Sequence, residues 1–412
     1  MAHRAAVHFF GTTVVSCWKH VSLSGRRSAR ARKNALPRES GTERIFCERA
    51  QARRREPEQI FSGKLCGSQN IRSVKPWYYF YMTDLVAVAR SLFGEGKGLL
   101  AADESVHTAT TRLASFGIPA GAEMRRQFRE LFIGAEGIER YLSGVILFPE
   151  SLTEKGDDKK PFPKSLATRG ILPGVKVDLG LEPIAASPQE FITNGLIGLP
   201  ERLAEYKKQG AVFSKWRAAF RIDGDTLPSA EAMHENAKRL ASYAKEAQTA
   251  GLVPILEPEV LYEGTHSRQR SRAAMAQVFQ ILFSVLDEHA VDCAGMVLKT
   301  SMALSGNDSG KRDTPEEVAL DTLGSLLEHV PRQIAGVMFL SGGQTPDQAT
   351  ENLAAISGRA KEIDAPWPLT FSYARALQEE ALALWKGKEE NVSAAREAFL
   401  ARLAKVSATL SA

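Results

Sequence analysis

Two kinds of apolar spacing alternate along most of this chain. Short apolar runs of strand length fall at residues 98–105, 143–148, 174–180, 211–222, 253–260, 295–302, 336–343 and 369–376. Between them lie stretches with apolar residues three and four apart, at 198–210, 229–251, 268–289, 314–330 and 346–357, with a last one at 390–410. The stretch 229–251 also carries end signals, opening on Ser229 with Glu231 close behind and closing on a glycine. Strands alternating with helices imply parallel pairing through right-handed crossovers. Eight such units close most naturally into a (β/α)8 TIM barrel, an α/β fold, with 390–410 completing its outer helical layer.

The rest of the chain reads differently. Before Met82, 16 Lys and Arg face 5 Asp and Glu, a net of +11; the remainder therefore carries −6 within the chain total of +5. The basic balance belongs to a leader over residues 1–81, and the sequence gives no reason to expect nucleic-acid binding by the body at 82–412. Clusters such as Arg26-Arg27-Ser28-Ala29-Arg30-Ala31-Arg32-Lys33 have no sustained period, so the leader is expected to be a disordered basic extension. Its first half suits a transit peptide, but Glu39, Glu43, Glu48, Glu56 and Glu58 do not. Translation from an upstream start, with Met82 the true one, and a functional basic arm remain open. Cys17, Cys47 and Cys66 lie in the leader, leaving Cys293 alone in the body, which points to a reducing, cytoplasmic setting or, with a real transit peptide, an organelle. No apolar run approaches the roughly 20 residues that span a bilayer, so no membrane partner is expected.

Candidate chemistry begins with charges inside apolar runs. Lys299 sits in Gly295-Met-Val-Leu-Lys-Thr-Ser-Met302, where an unpaired ammonium would cost several kcal/mol, roughly enough to shift its titration by 3 units. Asp103, Lys176, Asp178, Lys215, Arg217, Glu257 and Glu259 interrupt or close four other runs. Residues two apart share a strand face, so Lys176 with Asp178, Lys215 with Arg217 and Glu257 with Glu259 should each point one way. Barrel active sites lie at the C-terminal strand ends, and Asp103, Asp178, Glu257, Glu259 and Ser341 all fall in the latter half of their runs. His107 and His266 are too isolated to suggest a zinc site, and no dinucleotide fingerprint or P-loop occurs, so neither metal nor organic cofactor is expected. Ser341-Gly342-Gly343-Gln344 and Arg375 follow the last two strand runs, where barrels commonly cradle phosphate. A lysine beside another cation, here Lys215, loses its proton more readily and condenses with carbonyls; Glu257 or Glu259 would shuttle the protons. The residues thus describe a Schiff-base enzyme acting on a phosphorylated carbonyl compound.

Seven collinear motifs carry a resemblance: Leu99-Leu-Ala-Ala-Asp-Glu-Ser105, Ser143-Gly-Val-Ile-Leu-Phe148, Gly174-Val-Lys-Val-Asp178, Phe213-Ser-Lys-Trp-Arg217, Val253-Pro-Ile-Leu-Glu-Pro-Glu259, Phe339-Leu-Ser-Gly-Gly-Gln344 and Leu369-Thr-Phe-Ser-Tyr373. In these segments the chain resembles class I fructose-bisphosphate aldolase over essentially all of 82–412. The resemblance implies reversible aldol cleavage of fructose 1,6-bisphosphate, without a cofactor, by a cytoplasmic homotetramer of glycolysis and gluconeogenesis. It implies Lys299 as the Schiff-base lysine, Glu257 as its acid and base, Lys215 beside the imine, Glu259 as a supporting carboxylate, and Asp103 as acceptor of the hydroxyl proton next to the breaking bond. Ser341, Gly342, Gly343 and Arg375, with Ser372 nearby, match the pocket for the ketose-end phosphate. Ser105, Thr108, Arg112, Lys176 and Arg217 match contacts to substrate hydroxyls and the other phosphate.

Departures accompany the match. Thr300-Ser301 stands where Pro-Asn is common, Ala374 where glycine is common, and His107 and Thr111 where small or basic residues are usual. The last two put affinity for the second phosphate in question. Without the tyrosine-ended tail of animal members, no tail-gated closing step is expected. An aldolase preferring another phosphorylated ketose and a non-catalytic sugar-phosphate-binding scaffold are the alternatives.

Overall fold

A computed structural model describes residues 84–411. The expected leader at 1–81 lies outside the described residues. Eight parallel strands close a barrel: β1 (Gly98–Ala102), β2 (Leu142–Leu147), β3 (Leu172–Lys176), β6 (Phe213–Phe220), β7 (Val253–Val260), β8 (Val297–Thr300), β9 (Val337–Phe339) and β10 (Leu369–Tyr373). The ring order is β1-β10-β9-β8-β7-β6-β3-β2, so each barrel strand pairs with its sequence neighbours and β1 closes on β10. All eight strands expected from the apolar runs are present.

Helices cover the outside as the periodicity implied. The principal ones are α2 (Val106–Ser115), α3 (Ala122–Ile133), α5 (Leu199–Lys208), α6 (Ala230–Thr249), α7 (Arg268–Glu288), α8 (Pro315–His329), α9 (Pro346–Glu362), α10 (Arg375–Trp385) and α11 (Val392–Ser411), with the short α4 (Phe162–Thr168) after β2. Ser229 caps α6 by accepting from the Ala232 amide, and Thr314 with Glu317 forms a reciprocal capping box on α8. Helix α9 runs past the expected end at Ser357, continuing through Gly358 to Glu362.

Strand parity divides the interior of the barrel into a floor and a mouth. Side chains at Leu99, Ile146, Phe213, Val253, Ile255, Val297 and Met338 point inward near the N-terminal ends and form an apolar floor. A short helix ahead of β1, α1 (Leu85–Ser91), closes that floor from below with Val88 and Ala89, followed by Leu92. Intervening residues such as Leu100, Trp216, Leu256 and Leu298 point outward into the larger core under the helices. Further up the inward face the same parity reaches Lys215, Glu257 and Lys299. The floor supplies the dry base, and the mouth receives the charge.

Two features depart from the expected layout. Several strands are shorter than their apolar runs, so Asp103, Asp178 and Ser341 sit just past strand ends, in loops. A hairpin, β4 (Leu181–Ile184) and β5 (Ser187–Thr193), is inserted after β3 and pairs antiparallel. β4 is mostly exposed, and the buried positions of β5 are the polar Glu190 and Thr193, which left no clear apolar period. The fully buried Asn236 of α6 ties it down, donating to the Phe191 carbonyl at 2.7 Å and accepting from the Thr193 amide at 3.2 Å.

Close packing of the floor gives a direct test. A Cβ added at Gly174 would lie 2.0 Å from a ring carbon of Phe213, which is itself fully buried. Gly174→Ala is expected to destabilise the barrel by about 1–3 kcal/mol through overpacking, read as a lower urea midpoint with the slope unchanged.

Candidate active site

The inward positions of β6, β7 and β8 bring three charged side chains to one level, and the loop after β1 adds a fourth. Lys299 Nζ lies 2.8 Å from Glu257 Oε1. The other oxygen of Glu257 lies 2.9 Å from Lys215 Nζ, and Lys215 Nζ lies 2.6 Å from Asp103 Oδ2. The order is therefore Asp103, Lys215, Glu257, Lys299, with charge alternating along it. Lys215, Glu257 and Lys299 are 3–4% exposed.

This arrangement corrects one expectation. Lys215 was to be the cation adjoining Lys299, but Glu257 stands between the two ammonium groups and touches both. Strand parity puts all three side chains on one face, and opposite charges on that face interleave because a buried like-charge contact is unfavourable. Burial alone would raise the Glu257 carboxyl, yet Lys215 and then Lys299 hold it below the usual carboxylate range. Asp103 behaves alike, with Lys215 the stronger of its two cationic neighbours. Burial would lower the Lys215 ammonium, but Asp103, Glu257 and Asp178 together hold it above its ordinary value. Lys215 is thus the counter-ion shared by two carboxylates, and Glu257 is a carboxylate aimed at the Lys299 amine.

The four groups face an open cavity of about 330 Å³ at the C-terminal ends of the strands. Across from them lie Ser341 and Gly342 after β9, and Ser372, Ala374 and Arg375 at the end of β10. Gly342 brings main chain against Glu259, since a Cβ there would lie 3.0 Å from its Oε1. Gly343 turns the loop with φ +78° and has Tyr262 packed where a side chain would stand. Ser372 Oγ is buried without a hydrogen-bond partner, a hydroxyl left for a bound oxygen. Ala374 has φ −107° and ψ −87°, so it does not adopt the left-handed conformation that favours glycine.

The remaining wall holds Lys176, Arg217 and Glu259, with Ser105 and Thr108 at the start of α2. Ser105 caps that helix, and its hydroxyl lies 2.9 Å from that of Thr108. Arg217 is ion-paired to Glu259, which holds the guanidinium above its ordinary range. Of the residues expected to form the site, the cavity gathers all but Arg112 and Gly343. Arg112 instead donates to Glu104 Oε1 at 2.9 Å and to Gln378, behind the wall. The buried Arg129 donates to the Glu104 carbonyl at 2.8 Å, so two guanidiniums fix the segment bearing Asp103. Glu104, Gly180 and Leu181 line the cavity without having been singled out, and Asp178, noted for its place late in its run and for sharing a face with Lys176, lines it too. The run Asp103-Glu104-Ser105 was the available signal for Glu104; Gly180 and Leu181 come with the unforeseen hairpin. His107 is exposed on α2, and His266 borders a separate small cavity.

A parallel barrel that buries a lysine against a glutamate at the C-terminal strand ends, facing a polar cavity, defines an enzyme of the lysine-nucleophile class. Comparison with known proteins narrows this. A family model described as fructose-bisphosphate aldolase class-I matches residues 84–411. Fructose-bisphosphate aldolase B of Gallus gallus is 44% identical over 316 residues, covering 76% of this chain and 86% of that protein. The cytoplasmic isozyme of fructose-bisphosphate aldolase from Spinacia oleracea is 45% identical over 322 residues, covering 78% and 89%. A ternary co-crystal structure of fructose-bisphosphate aldolase from Plasmodium falciparum, in complex with TRAP and a small molecule inhibitor, superposes with a TM-score of 0.78 at 38% identity, over 83% of this chain and 98% of that one. This chain belongs to the class I fructose-bisphosphate aldolase family.

The ion-pair chain makes a pH-dependent prediction. Carboxyls held below their ordinary values add stability that is complete above the usual carboxylate range and is lost as pH falls through the lowered values. Lys215→Met leaves Asp103 without its nearest cation and Glu257 with one of two, and is expected to cost about 3–5 kcal/mol near neutral pH. Urea midpoints of the variant and wild type should converge on acidification, because protonation removes the unpaired charge. A deficit that stays constant with pH would assign Lys215 a packing role only.

Proposed function

We infer that this chain reversibly cleaves fructose 1,6-bisphosphate to dihydroxyacetone phosphate and glyceraldehyde 3-phosphate, through an imine on Lys299. The observation that carries the reading is the 2.8 Å contact of Lys299 with Glu257 inside a chain of alternating charge that opens onto the cavity. Family membership supports the substrate, and the glycine turn with Ser372 and Arg375 supports a phosphate at the ketose end.

The chemistry follows from these positions. Glu257 accepts the proton that frees the Lys299 amine, whose lone pair attacks the C2 carbonyl. The carbinolamine loses water with a proton from Glu257, leaving a protonated imine. Asp103 takes the proton of the C4 hydroxyl, and the C3–C4 bonding pair moves into the imine to give an enamine on Lys299. Glyceraldehyde 3-phosphate leaves. Protonation of the enamine at C3 and hydrolysis of the imine release dihydroxyacetone phosphate and restore the amine. Asp103 acts as a base because Lys215 keeps it ionised, and Lys215 changes no covalent bond. Glu259 orients Arg217 along the substrate chain. The electron sink is the imine itself, so turnover requires no metal.

The catalytic domain on this reading is the barrel from 82 onward, assembled as a homotetramer in the cytoplasm. Family habit supports the tetramer, and the spinach cytoplasmic isozyme supports the compartment. Among the described residues no helix is long and apolar enough to cross a membrane.

Turnover measured with excess chelator tests the proposal. Full activity in EDTA is expected, with no measurable cleavage by Lys299→Met and a kcat reduced about 10²–10⁴-fold in Glu257→Gln. Activity surviving in Lys299→Met would rule the lysine mechanism out.

A further inference from the structure

The turn that follows β9 carries one buried polar side chain that takes no step in the reaction. Ser341-Gly342-Gly343-Gln344 is closed by the Gln344 amide donating to the Ser341 carbonyl at 3.0 Å, with Gly343 in the left-handed third position. Ser341 and Gly342 line the active-site cavity. No main-chain carbonyl among the described residues takes the Gly342 or Gly343 amide, so the turn keeps donors for an anion. The side chain of Gln344 is 7% exposed and lines instead the small cavity that it shares with Tyr262, His266 and Met302.

Three elements meet at that side chain and its turn. The buried Asn352 of α9 donates to Gln344 Oε1 at 2.7 Å. Gln344 Nε2 donates in turn to the buried sulfur of Met302, 3.6 Å away and two residues beyond the end of β8. Tyr262, from the loop after β7, fills the place of a Gly343 side chain, with a ring carbon 2.1 Å from where its Cβ would stand. The main chain adds Leu340, whose amide donates to the Thr300 carbonyl at 2.9 Å. The turn is therefore held against the two strands that carry Glu257 and Lys299. An apolar pair of the same shape as Gln344 and Asn352 would hold these elements together about as stably. What the amides add is direction, because their bonds fix the turn relative to α9 and to the chain leaving Lys299.

We propose that Gln344 is a positioning residue that sets the ketose-phosphate turn at a fixed distance from β8, so that a phosphate bound there holds the adjoining carbonyl carbon over Lys299. The proposal rests on the aldolase reading above and deepens it. The turn holds the phosphate before and during the change at the carbon–carbon bond, and binding lost equally from ground and transition states raises KM while leaving kcat. Loosening the turn therefore weakens only the reactant whose phosphate sits in it. Dihydroxyacetone phosphate carries the phosphate of that end, and glyceraldehyde 3-phosphate carries the other.

The test is steady-state condensation of dihydroxyacetone phosphate with glyceraldehyde 3-phosphate by wild type, by Gln344→Met, and by Gln344→Met combined with Asn352→Leu. Gln344→Met keeps the volume and removes both side-chain bonds. The KM for dihydroxyacetone phosphate is expected to rise about tenfold, the size of one charge-assisted hydrogen bond to phosphate. The KM for glyceraldehyde 3-phosphate and kcat should stay within about twofold of wild type. The double variant removes both partners of the buried amide bond, so it should regain most of the thermal midpoint that the single variant loses while keeping the raised KM. A folded Gln344→Met protein whose KM for dihydroxyacetone phosphate moves by less than about twofold, or moves together with that for glyceraldehyde 3-phosphate, overturns the proposal. So does a double variant whose KM recovers along with its midpoint, which would leave the amides a packing role alone. If the single variant does not fold, an unraised KM for dihydroxyacetone phosphate in the double variant overturns it equally. Failure of the wild type to condense the two triose phosphates would instead remove the aldolase reading, and this proposal with it.

Discussion

One buried carboxylate with an ammonium on each side organises this molecule. Glu257 places one oxygen on Lys299 and the other on Lys215. Removing ions from water costs several kcal/mol each even after relaxation, and attraction offsets that cost only with close and complete pairing. Asp103 supplies the completion by taking the second contact of Lys215. Two positive and two negative groups are then buried together at nearly zero net charge. Two lysines and two carboxylates share one site because each is the counter-ion of its neighbour.

The fold serves this arrangement through strand parity. The same inward register that lays Phe213, Val253, Ile255 and Val297 into the floor carries Lys215, Glu257 and Lys299 to the mouth two positions later. Helix α1 packs against the floor from below, and the charged layer opens onto the cavity above. The cavity lies on the side where the βα loops supply Asp103 and Ser341, the end of β10 supplies Ser372 and the start of α10 supplies Arg375.

Much of this was legible in the residues, for identifiable reasons. Apolar runs and the spacing between them contain the barrel, and a charge in such a run marks strand and face together, which is how Lys299, Glu257 and Lys215 stand out. Distances across the barrel are another matter. Parity says that Lys215 and Lys299 share a face, but only three dimensions show Glu257 between them. Arg112 has the right charge on the right helix, yet its guanidinium is drawn behind the wall by Glu104 and Gln378. The hairpin after β3 was invisible because β4 is mostly exposed and the buried positions of β5 are the polar Glu190 and Thr193, and Gly180 and Leu181 entered the cavity with it. Of Thr300-Ser301, in place of the more usual Pro-Asn, Ser301 Oγ accepts from the Val260 amide at 3.1 Å and ties the segment after β8 to β7, whereas Thr300 Oγ1 is buried without a hydrogen-bond partner.

The central claim is that Lys299, deprotonated through Glu257, forms a covalent imine with a phosphorylated ketone. Its most direct test is borohydride reduction in the presence of dihydroxyacetone phosphate and EDTA, followed by intact mass and peptide mapping. A single reduced adduct located on Lys299, and absent from Lys299→Met, is the predicted result. Folded protein that acquires no adduct, or acquires it on Lys215, would contradict the account.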